Sequence, residues 1–157
     1  MRIGSNPLKN QSFSQSDYYH QVVIPVYIPS DEGYFKDSFA IFKMCLESLL
    51  ATVHSKTYIT IVNNGSHAGV VAYLNEQFSI HRIHELIHSD NIGKLNSILK
   101  GLAGNPIELV TVSDSDVLFL NGWQSETNRV FAQVPKAGVV GIVPQFTTYT
   151  SNSGNVI

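Results

Sequence analysis

From Val22 onward, short apolar runs of strand character alternate with longer segments that have helical spacing. This alternation constrains the chain most, because it is the pattern of a layered α/β domain built on a mainly parallel sheet. "VVIPVYI" (22–28) reads as a first strand in which Pro25, with Pro29 just after, ends regular pairing early. Phe39, Phe42, Leu46, Leu49, Leu50 and Val53 recur at three- and four-residue intervals, so a helix from about Asp37 to His54 has one apolar face. "TYITIV" (57–62) is a second strand, closed by the turn signal Asn63-Asn64-Gly65-Ser66. A helix through Val70, Val71, Leu74 and Phe78 packs back onto the sheet.

Leu95, Ile98, Leu99 and Leu102 form another helical stripe, ended by Gly104-Asn105-Pro106. "IELVTV" (107–112) reads as a buried strand and runs into Ser113-Asp114-Ser115-Asp116. A helix from about Trp123 to Val134 and a last strand, "GVVGIV" (138–143), complete the pattern. Residues 1–20 are expected to be a polar arm: they hold no continuous apolar segment, so they read neither as a signal peptide nor as a membrane span. Residues 21–157 are expected to form a single domain.

Composition narrows the function. A net charge of -2 with only 10 Lys and Arg provides no broad basic surface, which argues against nucleic acid as a partner. Cys45 cannot form an internal disulfide and falls in an apolar helical pattern, as a packed core thiol does. A reducing, cytoplasmic setting fits.

Two stretches compete for chemistry. His84-Glu85-Leu86-Ile87-His88 spells the H-E-x-x-H pattern of zinc peptidases, which needs both histidines on one face of a sustained helix, with a third ligand such as Glu108. Asn91-Ile92-Gly93 interrupts any helix within a turn of His88, and strand alternation is the competing reading of residues 83–89. With His81, these histidines also make adventitious metal binding a standing expectation. The second stretch is Asp114-Ser115-Asp116. On extended backbone the two carboxylates project to one side, roughly 6–7 Å apart, at the carboxyl end of a strand. They repel each other unless a cation or polar ligand satisfies them, and a hard divalent metal carrying a diphosphate would do so. A solvated turn capping a following helix turn is the plainer alternative.

The succession "VVIPVYIPS", "ITIVNNGS", "NIGKLNSILKGL" and "VTVSDSDVLFLNGW" resembles the nucleotide-sugar half of a GT-A fold glycosyltransferase of the family 2 type, over about Val22 to Val143. The resemblance implies a Rossmann-like sheet flanked by helices and incomplete at the C-terminus, because the family places its acceptor site and general base in a segment beyond this sheet. It also implies a divalent cofactor, Mn²⁺ or Mg²⁺, and a nucleoside-diphosphate sugar of UDP, GDP or dTDP type as partner. The acceptor would be a glycan or lipid, and the location cytoplasmic or peripheral at the cytoplasmic face of a membrane.

Pro25, Val26 and Tyr27 match the first-strand segment that cups the base. Asn63 and Asn64 stand where the family usually has acids, "NNGS" for "DDGS", which brings an amide donor to a place otherwise held by an acceptor. Asn91, Gly93 and Lys94 match the N-x-G-K segment, with Gly93 allowing close backbone approach and Lys94 facing the diphosphate or the acidic loop. Asp114, Ser115 and Asp116 match the D-x-D, Asp116 as direct metal ligand and Asp114 nearer the ribose. Two other classes stay open: a module that binds nucleotide sugar without turnover, and a phosphatase, since "VTVSDSDVL" also resembles the haloacid-dehalogenase nucleophile pattern. An open sheet edge makes self-association an expectation as well.

Overall fold

The structure, a computed structural model, describes residues 17–141. These fall into two compact units, one through Leu118 and one from Phe119.

The first unit is a four-stranded parallel sheet in the order β3-β2-β1-β4. Its elements are β1 (His20–Val26), α1 (Ser38–Thr52), β2 (Thr57–Asn64), α2 (Ala68–Ser79), β3 (Glu85–Ser89), α3 (Lys94–Leu102) and β4 (Leu109–Val112). A short 3₁₀ turn, Gly33–Phe35, precedes α1. The order reverses at β1, which pairs with β2 on one side and β4 on the other, so this is the doubly wound arrangement expected from the alternation. The two long parallel strands are buried on both faces, as their β-branched runs dictate: Val22, Val23, Ile24 and Ile61 have no exposed surface.

The helices divide between the faces. Asn75 of α2 reaches His88, whose register partner Asn63 faces away from Val62 and Asn64, and Tyr73 of α2 packs edge-on against Phe39 and Phe42 of α1. Helix α3 takes the opposite face, where Gln21 Nε2 donates to Gly101 O at 2.9 Å. Such an arrangement follows from right-handed crossovers on either side of a strand-order reversal.

Several sequence expectations change. The first strand starts at His20, two residues before the apolar run, because His20 is fully buried and its Nε2 lies 2.8 Å from Thr111 Oγ1. The polar arm of residues 1–20 therefore loses its last residue to the sheet, and its residues 1–16 lie outside the described residues. "IELVTV" is not a buried strand: β4 stands at the end of the sheet order, pairs only from Leu109, and leaves Val110 and Val112 40% and 47% exposed. No strand forms over 138–141, where Val139 is 88% exposed, and residues 142–143 of that expected strand lie outside the described residues.

The second unit holds α4 (Trp123–Gln133), whose first residue packs against Phe119 with ring centroids 5.1 Å apart. No helix among the described residues is long and apolar enough to cross a membrane.

Candidate functional site

A cleft of about 330 Å³ opens at the carboxyl ends of the strands. Pro25 explains where it opens. The odd-numbered residues of β1 point their backbone groups toward β4, since Tyr19 O accepts from Leu109 N and Val23 O from Ser113 N. The N–H that Pro25 lacks would be the next rung on that side, and pairing with β4 stops at Val23↔Val112, whereas pairing with β2 continues to Val26↔Asn63. Beyond Ser113 the fourth strand has no rung to hold it beside β1, and the crevice lies between the two chain segments.

One wall is Pro25, Val26 and Tyr27, the last 41% exposed with its ring edge-on to Phe35. Asn64, Asn91 and Lys94 line the cleft from the ends of β2 and β3 and the start of α3. Asp114, Ser115 and Asp116 line the side after β4. Lys94 Nζ forms an ion pair with Asp114 Oδ1, and with side-chain exposures of 62% and 54% both groups remain solvated. The two carboxylates are thus not desolvated, and water together with Lys94 moderates their repulsion. Asp116 is exposed and its carboxylate has no hydrogen-bond or ion-pair partner among the described residues. The main chain of the loop is tied down by Ser113 Oγ, which donates to Asp114 O at 3.0 Å, and by the Cys45 thiol, 3.8 Å from the same oxygen. Burial pushes that thiol's pKa up, with the Asp116 charge adding to the effect and a hydrogen bond with the Val117 backbone opposing it.

Two sequence-picked residues do not line the cleft. Asn63 is 4% exposed, and its amide is used inside the protein: Oδ1 accepts from Ser66 N at 3.0 Å, and Nδ2 donates to His88 Nδ1, also 3.0 Å away. Neighbouring strand residues face opposite ways, so Asn63 and Asn64 could not both reach the cleft. Gly93 is needed for its backbone and not for close approach: its φ of +82° with ψ 157° is glycine territory, while an added Cβ would meet nothing within 4 Å. Close approach belongs to Gly65, whose Cβ would stand 2.9 Å from Asn91 N. Ser66 was missed by sequence reasoning. Its hydroxyl accepts from Ile28 N at 3.0 Å and donates to Val26 O at 3.3 Å, binding the turn after β2 to the cleft wall, and the Ser of "NNGS" was the available signal.

The H-E-x-x-H reading is overturned. Glu85–Ser89 is a strand, so His84 and His88 stand about 13 Å apart along extended backbone and cannot share an ion. Each of the three residues also has another task. His84 Nδ1 accepts from Ile59 N at 3.1 Å, Glu85 Oε2 accepts from Thr60 Oγ1 and Asn105 Nδ2 at 2.9 Å each, and His88 bridges Asn63 and Asn75. No group of three or more His, Cys, Asp or Glu side chains that could hold a metal ion occurs among the described residues.

The sequence matches no protein-family model and no curated protein. Solved structures do match. Residues 1–349 of S. aureus TarS correspond over 81% of this chain and 38% of that one, with a TM-score of 0.57 and 15% identity. The same TarS segment in complex with UDP gives 0.59 and 16% over the same shares. The chain shares its fold with TarS, a GT-A glycosyltransferase. A longer TarS chain matches with a TM-score of 0.58 and 16% identity, and this chain spans 23% of it, so the likeness concerns a minor part of the TarS length.

Proposed function

We propose that the chain binds a nucleoside-diphosphate sugar in this cleft, together with a divalent cation, Mn²⁺ or Mg²⁺, at Asp114-Ser115-Asp116, for glycosyl transfer to a glycan or lipid acceptor. The observation that carries the reading is the convergence of Asn91, Lys94 and the acidic loop on one crevice beside Pro25-Val26-Tyr27, at a strand-order reversal where α/β sheets bind ligands. Likeness of fold to a protein solved with UDP supports the same class of ligand.

The donor set fits a hard cation. Asp116 offers an uncommitted carboxylate, Asp114 a second one two residues away, and with only two such groups the remaining ligands would be phosphate oxygens and water. When bound, the cation offsets charge on the departing diphosphate. The chain's own residues do the rest. Tyr27 and Pro25 give a planar base an apolar wall, and Asn91 adds a polar contact. Lys94, already exposed at the mouth, can move its charge from Asp114 to the diphosphate as that anion enters, keeping a cation beside it throughout.

Isothermal titration with UDP, GDP, dTDP, CDP and ADP, with and without Mn²⁺ and repeated on Asp116→Ala, tests the reading. Cation-dependent binding of at least one nucleotide, lost in the variant, is the expected result. If no nucleoside diphosphate binds the wild type with Mn²⁺ present, the reading fails.

A further inference from the structure

Lys94 stands where a helix least favours a cation. It is the first residue of α3, at the positive end of the helix dipole, whereas Lys100 in the last turn sits where the dipole is complementary. The first turn of α3 holds no acidic side chain to offset it. Compensation comes from across the cleft, where Lys94 Nζ pairs with Asp114 Oδ1. The charged side chains lining the cleft are Lys94, Asp114 and Asp116, so its ammonium already occupies one of the only two carboxylates on offer to a cation. Lys94 therefore competes for Asp114 with any divalent cation that enters alone, and the two like charges crowd each other. Beside a diphosphate that enters alone, Lys94 leaves Asp114 bare against a second anion. When both enter, Lys94 passes to the diphosphate, Asp114 is freed for the cation, and the charges of the two ligands offset each other.

We propose that Lys94 couples the two ligands: it holds Asp114 in place of a cation until a diphosphate accepts its ammonium, so cation and diphosphate bind cooperatively and each binds poorly alone. By linkage, each raises the affinity for the other by the same factor. The inference rests on the reading of the cleft as a cation and nucleotide site and states what governs entry to it. Its signature is a pair of opposite effects from one substitution. Removing the charge at position 94 frees Asp114 for the cation and takes a partner from the diphosphate. A lysine that served the diphosphate alone would show the second effect without the first.

The test compares wild type with Lys94→Gln, which loses the charge, and Lys94→Arg, which keeps it. Position 94 is exposed, so neither change should compromise folding, and matching circular dichroism and melting curves would verify that. Mn²⁺ is titrated into each protein without nucleotide, followed by electron paramagnetic resonance of the free ion and by line broadening of the amide signals of residues 114–116. Inorganic pyrophosphate, a diphosphate without a base, is titrated calorimetrically without metal. Lys94→Gln is expected to bind Mn²⁺ about two- to fivefold more tightly than wild type, the worth of a solvated ion pair. It should bind pyrophosphate about tenfold more weakly, the worth of a hydrogen bond to a charged group. Lys94→Arg should match wild type in both. Mn²⁺ binding no tighter in Lys94→Gln, or pyrophosphate binding that is absent from wild type or unchanged in the variant, overturns the coupling; nucleoside diphosphates that still bind with Mn²⁺ would leave the nucleotide site standing. Absence of line broadening at 114–116 in every protein overturns the coupling and the cation site together. Opposite shifts as expected, with no nucleoside diphosphate bound, would uphold the coupling and refute the nucleotide reading.

Discussion

Gly101→Ala tests how closely α3 sits on the sheet. A Cβ at this position would stand 2.7 Å from Val23 Cγ1, 2.9 Å from Val62 Cγ2 and 3.4 Å from Thr60 Cγ2. Ordinary carbon contacts lie at about 3.5–4.0 Å, so something must give by roughly 0.5–1 Å. The three neighbours cannot give it. They are β-branched, fully buried, and rooted in the two long strands of the sheet, which leaves retreat of α3 as the only relief. Retreat also stretches the 2.9 Å hydrogen bond from Gln21 Nε2 to Gly101 O. Overpacking of this kind costs about 1–3 kcal/mol, and the preference of helices for Ala over Gly offsets up to about 1 kcal/mol. The net expectation is a loss of about 1–2 kcal/mol in urea unfolding at 25 °C with an unchanged m-value. Val23→Ala removes the nearest obstructing methyl, so in that background Gly101→Ala should cost less, with a coupling of about 1 kcal/mol. A Gly101→Ala protein as stable as wild type, or strictly additive effects in the double variant, would refute the close packing.

Two further expectations concern single residues. Burial, and then the nearby His54, hold the His20 pKa down at about 4 against an ordinary 6.5, so the unfolded chain takes up the proton first. Stability from neutral His20 is fully present above pH 6.5 and is lost as the pH falls toward 4, by at most about 1.4 kcal/mol per pH unit. In His20→Gln this component of the slope should vanish, and identical dependence of the urea midpoint in both proteins between pH 7 and pH 4.5 would count against it. Gly93→Ala should cost about 1–3 kcal/mol through backbone strain alone, since nothing crowds the added methyl. A melting temperature equal to that of the wild type would contradict the positive φ.

The sequence showed which loops would meet at one end of the sheet and where they attach. Strand ends after "VVIPV" and "TYITIV", the Asn91-to-Lys94 segment and Asp114-Ser115-Asp116 do converge, because in a parallel α/β sheet the carboxyl end of each strand faces the same side whatever the side chains do. What stayed hidden depended on facing and on neighbours. Asn63 and Asn64 look equivalent in a string, but one residue of strand period sends Asn63 to His88 and Asn64 to the cleft. The four-residue spacing of His84 and His88 suits a metal only on a helix, and the hydrogen bond from Ile59 N to His84 Nδ1 depends on a strand 25 positions away. "IELVTV" looked buried because a β-branched run does not record how many strands lie beside it. Nothing in the string singles out Gly101, and only the approach of Val23 and Val62 from two strands reveals its purpose.

The shortest strand has a disproportionate role in how this molecule comes together. Among the described residues β4 pairs with one neighbour over four positions, and that pairing brings together His20 and Thr111, 91 positions apart. Closing so long a loop is entropically expensive, so this pairing is expected to complete late in folding, after β1, α1 and β2, which are near neighbours in sequence. Asp114 and Asp116 hang from this last-closed rung, joined to β1 through Ser113 N and Val23 O. Local opening should begin here as well, where fewest partners hold the backbone. A ligand that spans from Asp116 to the wall at Tyr27 would bridge the two segments that Pro25 leaves unpaired, so for β4 filling the cleft and finishing the fold become the same event.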